Sequence, residues 1–152
     1  MFRGIHNVNL DAKGRLAIPS RYRQRLFDDA QKHLIVTIDT EENCLLLYPQ
    51  PIWEKIEQKI SRLPSFNQAT RRIQRLLIGH ATEMEMDTNG RVLLPTPLRE
   101  YASLNKHVVL IGQGNKFELW DQAQWNTRRD TWLKEKSADM SNLPDEMNDL
   151  TL

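Results

Sequence analysis

Short segments in which apolar and polar residues alternate dominate the chain, and they occur in the same order twice. In the first half, Val8 and Leu10 alternate with polar residues, which is typical of a half-buried strand. A glycine turn, a short apolar segment and a proline follow, and proline is favoured in the first turn of a helix. The pattern predicts a unit of strand, hairpin loop, strand, short helix, two strands and a closing helix.

Three blocks of sequence recur in the same order, and each recurrence has a fixed offset. The matches are 8–19 with 84–95 at an offset of 76, 33–36 with 107–110 at 74, and 45–48 with 117–120 at 72. The offset falls by two at each loop, where short deletions are tolerated. We interpret the chain as a duplicated unit, and an α+β fold follows from its predicted elements.

The predicted elements fall at equivalent positions in the two copies. They are returning strands at 16–18 and 92–94, short helices at 19–27 and 95–101, and strands at 33–39, 44–48, 107–112 and 116–120. Apolar residues at helical spacing predict closing helices that contain Ile52 and Ile60 in the first copy and Trp125 and Trp132 in the second. A further helix is predicted at 67–80, with Leu76 on its apolar face.

Both copies are predicted to build one structural domain. The first repeat and its closing helix occupy 1–62, a connecting helix occupies 63–80, and the second repeat and its closing helix occupy 81–135. The segment 136–152 is acidic with scattered apolar residues, and we expect a frayed or loosely docked C-terminal tail there.

The net charge of +1 conceals a strongly uneven distribution of charge along the chain. Residues 1–27 carry a net charge of +5 and residues 50–80 carry +4, while the intervening 28–49 carry −4. A local basic surface binds polyanions whatever the charge of the whole chain. The composition therefore leaves nucleic acid open as a partner.

Composition also excludes several classes of protein. The single cysteine, Cys44, rules out a disulfide framework and a cysteine-based zinc site, and its apolar neighbours predict a buried thiol. The apolar runs are far shorter than the ~20 residues that span a bilayer, and the first residues lack a signal-peptide pattern. We expect a soluble, cytoplasmic protein with no membrane partner.

An Asp-x-x-Gly-Arg motif occupies the hairpin loop of each copy, as Asp11 to Arg15 and Asp87 to Arg91. The aspartate can accept hydrogen bonds from loop amides, the glycine (Gly14 or Gly90) can supply a positive φ, and the arginine can pair with the aspartate. These are structural roles. Lys13 has none of them, because the tip of a hairpin loop has no structural need for a cation.

The two copies differ in charge around this motif. Strand alternation places Asn7 and Asn9 on the face that carries Glu83 and Glu85 in the second copy, and Asn89 stands at the position equivalent to Lys13. Acidic side chains near a phosphate backbone repel it. We therefore expect the first copy to bind DNA and the second to serve more as a scaffold.

The paired Asp-x-x-x-Arg hairpins closely resemble the MraZ family of bacterial transcriptional regulators, which are encoded at the head of the division and cell-wall gene cluster. The resemblance also covers the segments 1–4, 75–81 and 116–120. It implies a duplicated swapped-hairpin β-barrel related to AbrB and SpoVT domains, pseudo-twofold and with peripheral helices. It further implies a ring-shaped homo-oligomer that binds repeated elements of double-stranded promoter DNA in the nucleoid and represses its own operon.

The resulting expectation is a sequence-specific DNA-binding regulator that is not an enzyme and uses no cofactor, metal or small-molecule substrate. The residues expected to bind DNA are Arg15 and Lys13, supported by Arg3, Arg21 and Arg23. The residues expected to shape the two loops are Asp11, Gly14, Asp87, Gly90 and Arg91. Operator sequence, ring stoichiometry and the sign of regulation at each promoter stay open.

Three other functions fit parts of the sequence. AbrB-type folds also serve as antitoxin-like DNA-binding modules, although those modules usually carry one copy and a long tail. Glu83, Glu85 and Asp87 share a strand face and could bind a divalent metal in a phosphodiester hydrolase. The chain could also form a purely structural ring that does not bind nucleic acid.

The role of one basic helix face stays open. The face formed by Arg71, Arg72 and Arg75 could bind phosphate, bind another subunit or face solvent.

Overall fold

The computed structural model describes residues 1–135 and Met147, so the predicted acidic tail lies outside the described residues apart from Met147. The strands are β1 Phe2–Asn9, β2 Arg15–Ala17, β3 His33–Ile38, β4 Leu45–Pro49, β5 Thr82–Glu85, β6 Arg91–Leu93, β7 His107–Gly114 and β8 Phe117–Asp121. The helices are α1 Ser20–Ala30, α2 Gln50–Ser61, α3 Gln68–Ile73, α4 Thr96–Tyr101 and α5 Gln122–Lys134, with a π-helical segment at Gln74–Ile78. These elements confirm the α+β class and the order predicted for each copy.

The chain forms two compact units, Met1–Gln122 and Ala123–Leu152. The first contains all eight strands, and the described part of the second is the remainder of α5 with Glu135 and Met147. The predicted domain boundaries at 62 and 80 stay predictions. No helix among the described residues is both long and apolar enough to cross a membrane.

Strand pairing in the first unit crosses repeatedly between the two copies. Six antiparallel strands form one sheet in the order β1-β7-β8-β4-β3-β5, and β2 pairs with β6 in a separate ribbon. The first strand of each copy pairs with the third strand of the other copy: β1 pairs with β7, and β5 pairs with β3. The copies also meet where β4 pairs with β8 and where β2 pairs with β6. Neither copy could therefore complete its sheet alone.

The prediction of a closed barrel was wrong, because the six-stranded sheet is open. In the described residues the ribbon joins this sheet through one isolated bridge, between Leu10 and Leu16. β2 and β6 have three residues each and, apart from the Leu10–Leu16 bridge, pair only with each other among the described residues. Instead, Leu26 of α1 and Leu98 of α4 join the core of buried strand residues.

The ribbon, the short helices and the large sheet enclose the main core. Leu16 and Ile18 in the first copy have equivalents in Val92 and Leu94, and at most 1% of each side chain is exposed. Burial of an aliphatic side chain of this size stabilises the fold by about 1.5–3 kcal/mol. This packing fixes the direction of both strands of the ribbon, and thereby of the loops that precede them.

A second apolar cluster lies where α2 and the π-helical segment pack on β3 and β4. It contains Ile35, Tyr48 and Trp53, and Leu77 packs against it. Thr37, which is fully buried, donates a hydrogen bond from Oγ1 to the carbonyl oxygen of Leu77 at 2.7 Å. The predicted helix at 67–80 therefore exists with a π-helical interruption, and the buried hydroxyl holds it to the sheet.

Candidate nucleic-acid interface

The first loop connects β1 to β2 and is organised by the carboxylate of Asp11. The Oδ1 atom accepts hydrogen bonds from the backbone N–H groups of Lys13 and Arg15, both at 2.9 Å. The Oδ2 atom accepts the Nε–H of Arg15 at 3.0 Å. Gly14 has a φ of +85° and donates its N–H to the carbonyl oxygen of Asp11. The loop is a closed turn that leaves the Lys13 side chain exposed at its tip.

The second loop, between β5 and β6, repeats this geometry. Asp87 Oδ1 accepts the N–H groups of Asn89 and Arg91 at 2.9 Å, and Oδ2 accepts the Nε–H of Arg91 at 3.3 Å. Gly90 has a φ of +75° and donates its N–H to Asp87. The two loops thus share the same hydrogen bonds, and they differ mainly at the tip, where Asn89 replaces Lys13.

These hydrogen bonds favour the charged form of each loop aspartate. The backbone N–H of Arg15, followed by its side chain, holds the pKa of Asp11 below the ordinary value. The backbone N–H groups of Arg91 and Asn89 lower the pKa of Asp87 in the same way. Both carboxylates are therefore fully ionised near neutral pH, and each is occupied by donors from its own loop.

The short ribbon places the two motif arginines on one outward face. Leu16 and Val92 are paired and point into the core, so Arg15 and Arg91 point away from it. Arg15 is paired with Leu93, which is 57% exposed, and Arg91 with Ala17. The side chains of Arg15 and Arg91 are 31% and 35% exposed. In such a diagonal arrangement their Cα atoms are roughly 7–8 Å apart, so one ligand can reach both side chains.

An arginine from a neighbouring helix covers the glycine of each loop, and it comes from the opposite copy. A Cβ atom at Gly90 would lie 2.3 Å from Nε of Arg23, and one at Gly14 would lie 2.6 Å from Cζ of Arg99. Arg23 Nε donates to the carbonyl oxygen of Ile18 at 2.6 Å. Both glycines are buried under a guanidinium group, which requires the absence of a side chain there.

The structure therefore places Arg23 at the second loop, although its position in sequence suggested support for the first. Arg99 is the residue at the first loop that reasoning from sequence missed. A signal existed: Arg99 stands 76 positions after Arg23, so the duplication retains this arginine while Arg21 becomes Pro97.

Arg3 and Arg21 are exposed and lie together at the far end of β1. A Cβ atom at Gly4 would be 3.8 Å from Nη1 of Arg21, and the Tyr22 hydroxyl donates to the Arg3 carbonyl oxygen. Six residues of extended strand separate Arg3 from Asn9, which is roughly 20 Å. The structure does not bring these two arginines together with Lys13 and Arg15.

The acids considered for a metal-dependent hydrolase do not converge. Glu83 and Glu85 lie on β5, and the carboxylate of Asp87 is engaged by its own loop. In the part of the chain that the structure describes, the one group of three or more ligand atoms within 4.8 Å of one another is Asp39, Cys44 and Glu118. Desolvation raises the pKa of the buried Cys44 thiol, which keeps it protonated and makes it a poor metal ligand.

Comparison with known proteins covers the whole duplicated sequence. Residues 1–76 and 77–148 each match the family model described as "MraZ protein, putative antitoxin-like". Proteins named transcriptional regulator MraZ from Coxiella burnetii, Legionella pneumophila and Halorhodospira halophila are 57%, 58% and 55% identical over 152 residues. Each of these comparisons covers 100% of both chains.

Proposed function

The chain belongs to the MraZ family, and from that premise we propose that it is a transcriptional regulator that binds double-stranded promoter DNA through its first hairpin loop. The observation that carries this proposal is the outward face of the ribbon. Arg15 lies there on a rigid turn, with the exposed Lys13 at the tip of the same loop. Arginine suits bidentate pairing with guanine O6 and N7, and lysine suits contact with phosphate.

The charges around the two loops support DNA binding by the first loop rather than the second. Its tip carries Lys13, whereas the second tip carries Asn89. The strand that leads into the second loop exposes Glu83 and Glu85, and the equivalent side chains in β1 are neutral. Phosphate is therefore repelled more strongly from the second loop, although Arg23 adds a positive charge beside it.

The remaining basic residues have supporting roles in this proposal. Arg3 and Arg21 sit at the other end of β1, where they can contact a more distant phosphate along the same duplex or a neighbouring site. Arg23 packs on Gly90 and stabilises the second loop. The two loops are shaped by the aspartate and glycine of each motif together with Arg91. In this proposal these residues do not contact DNA bases.

The proposal extends to assembly and to the target. We infer a ring-shaped homo-oligomer in the cytoplasm, associated with the nucleoid, that binds repeated elements upstream of its own division and cell-wall operon. One loop with two cations binds a short site weakly, and a ring that presents equivalent loops to repeated sites gains avidity. The exchange of β1 and β5 between copies supports a swapped-hairpin relationship to AbrB and SpoVT domains.

Glu83, Glu85 and Asp87 form no group of converging ligand atoms among the described residues, and we propose that the protein acts without catalysis or a cofactor. The family description favours a second candidate, an antitoxin-like DNA-binding module. That candidate requires a toxin-sized partner protein, which would co-purify with the chain from its native host. A regulator that acts by itself would purify as a homo-oligomer.

The direct test is a gel shift with the DNA upstream of the protein's own gene, in competition with random duplex. We expect the upstream DNA to be retained at random-DNA concentrations that abolish nonspecific complexes. If random duplex competes as well as the upstream duplex, the chain is not a sequence-specific regulator of that promoter.

A further inference from the structure

The guanidinium group of Arg99 is built into the first loop although its helix belongs to the second copy. It lies over Gly14, where an added Cβ atom would be 2.6 Å from Cζ, 2.8 Å from Nε and 2.9 Å from Nη1 of Arg99, and Arg99 remains partly exposed. The carbonyl oxygen of Gly14 accepts the N–H of Leu94 at 3.0 Å, and the carbonyl oxygen of Leu94 accepts Nε–H of Arg99 at 3.1 Å. Hydrogen bonds through Leu94, which follows β6, thus link the first loop to Arg99.

Two hydrogen bonds fix the orientation of this group. Besides the bond to Leu94, Nη2 of Arg99 donates to Oγ1 of Thr96 at 2.8 Å. A guanidinium carries five N–H donors, so these two bonds leave three for a ligand. Because the group is already held in place, a ligand that binds it loses little additional side-chain entropy.

The charge at the first loop also changes when Arg99 is included. Lys13, Arg15 and Arg99 are three cations gathered at one turn, and the nearby acid, Asp11, is occupied by donors from the loop itself. Three cations around one short loop attract a polyanion more strongly than they attract a single carboxylate partner. The charge of this surface is complementary to that of a nucleic-acid strand.

We infer that Arg99 contacts a DNA phosphate beside the bases or phosphates that Lys13 and Arg15 contact, so that the DNA-binding site is shared between the two copies. This inference rests on the proposed function. The duplication retains an arginine at this position of α4, whereas the neighbouring basic positions of α1 become Pro97 and Tyr101.

The competing explanation is that Arg99 acts as a positioning residue that supports the loop and does not touch DNA. The dependence of binding on salt separates the two. A phosphate contact contributes about 0.9 to the slope of log affinity against log salt, and its loss weakens binding to specific and random DNA alike. A residue that supports the loop changes affinity without changing the number of counterions released.

The experiment measures fluorescence anisotropy of labelled upstream and random duplexes between 50 and 200 mM KCl. The variants are Arg99→Gln, Arg99→Lys and the pseudo-symmetric control Arg23→Gln, which removes the same charge beside the other loop. We expect Arg99→Gln to weaken both duplexes roughly tenfold at low salt. The ratio of the unchanged protein's affinity to that of the variant should fall by about 3.5-fold over this salt range for each engaged chain that loses one phosphate contact.

Arg99→Lys keeps the charge and should keep the salt slope, with a smaller loss of affinity, and Arg23→Gln should lose less than Arg99→Gln. Unchanged affinity and slope in Arg99→Gln would overturn the inference, and so would a loss that leaves the slope intact and that lysine does not restore. Melting curves identify a variant that fails to fold; if Arg99→Gln fails, a loss of affinity of roughly tenfold or more in the folded Arg99→Lys at an unchanged slope refutes the phosphate contact. Failure of the unchanged protein to bind either duplex refutes the proposed function instead.

Discussion

Replacement of Gly14 by alanine tests the arginine-covered loop directly. With a φ of +85°, this position costs alanine about 1–2 kcal/mol. The new Cβ would also lie 2.6 Å from Cζ of Arg99. Because the far end of that side chain is flexible, the guanidinium moves rather than the backbone, and the hydrogen bond to Leu94 is lost at a cost of about 0.5–1.5 kcal/mol.

These contributions together give a loss of roughly 1.5–3.5 kcal/mol, which lowers Tm by roughly 3–14 °C in a chain of this length. The matched control is Gly79→Ala, because Gly79 has a helical φ of −61° and a Cβ there meets nothing within 4 Å. That substitution should raise stability by about 0.4–1 kcal/mol. The assay is thermal unfolding followed by circular dichroism, with DNA affinity measured well below Tm.

Gly14→Ala should also weaken DNA binding while the chain stays folded, because Arg99 leaves the loop. Gly90→Ala should destabilise to a similar extent, since φ is +75° and Arg23 lies over it, but it should weaken DNA binding less. If Gly14→Ala melts and binds like the unchanged protein, the packing of the guanidinium on the loop is not a rigid feature, and the reasoning fails.

Three further outcomes are expected. Thr37→Val removes the 2.7 Å hydrogen bond from the buried Thr37 hydroxyl to the carbonyl oxygen of Leu77 and should cost about 1–3 kcal/mol in thermal unfolding. Because the pKa values of Asp11 and Asp87 are lowered in the folded state, their contribution is complete above the ordinary value of 3.8 and is lost as pH falls through the lowered values. Melting temperature measured from pH 8 to pH 2 should therefore show no effect of these groups above pH 5, and a loss that begins below the ordinary value. Affinity for three direct repeats should greatly exceed affinity for one, and insertion of about 5 bp between repeats should remove most of the gain; equal affinity for one and three repeats would refute the multivalent assembly.

Local structure was readable from the sequence, because alternation, glycine turns and prolines report on the immediate neighbourhood of each residue. The match between Asp11 to Arg15 and Asp87 to Arg91 located both loops, and the structure gives them the same hydrogen bonds. Alternation also indicates which face of a strand is buried, but not which strand lies beside it. The exchange of β1 and β5 and the open sheet are consequences of pairing across the copies, which no local pattern records.

The candidate site was predicted in part for the same reason. Lys13 and Arg15 belong to one loop, so their proximity follows from sequence. The positions of Arg23 and Arg99 depend on how the short helices pack against the opposite copy, and adjacency in sequence assigned Arg23 to the wrong neighbourhood. Charge counted along the chain therefore exaggerated the difference between the loops, since each receives one arginine from the other half.

The central claim is that the first loop binds DNA and the second does so to a lesser degree, and two substitutions at equivalent positions test it. Arg15→Ala and Arg91→Ala each remove a partly exposed guanidinium paired with the aspartate of its loop, so their structural costs are matched. Fluorescence anisotropy on the labelled upstream duplex, with melting curves and size exclusion for each variant, should show loss of specific binding in Arg15→Ala with fold and oligomer size unchanged. Arg91→Ala should retain most of the affinity, and any damage should appear first as a lower Tm. If Arg91→Ala loses binding as completely as Arg15→Ala while its fold is intact, both hairpins read DNA and the claim is wrong.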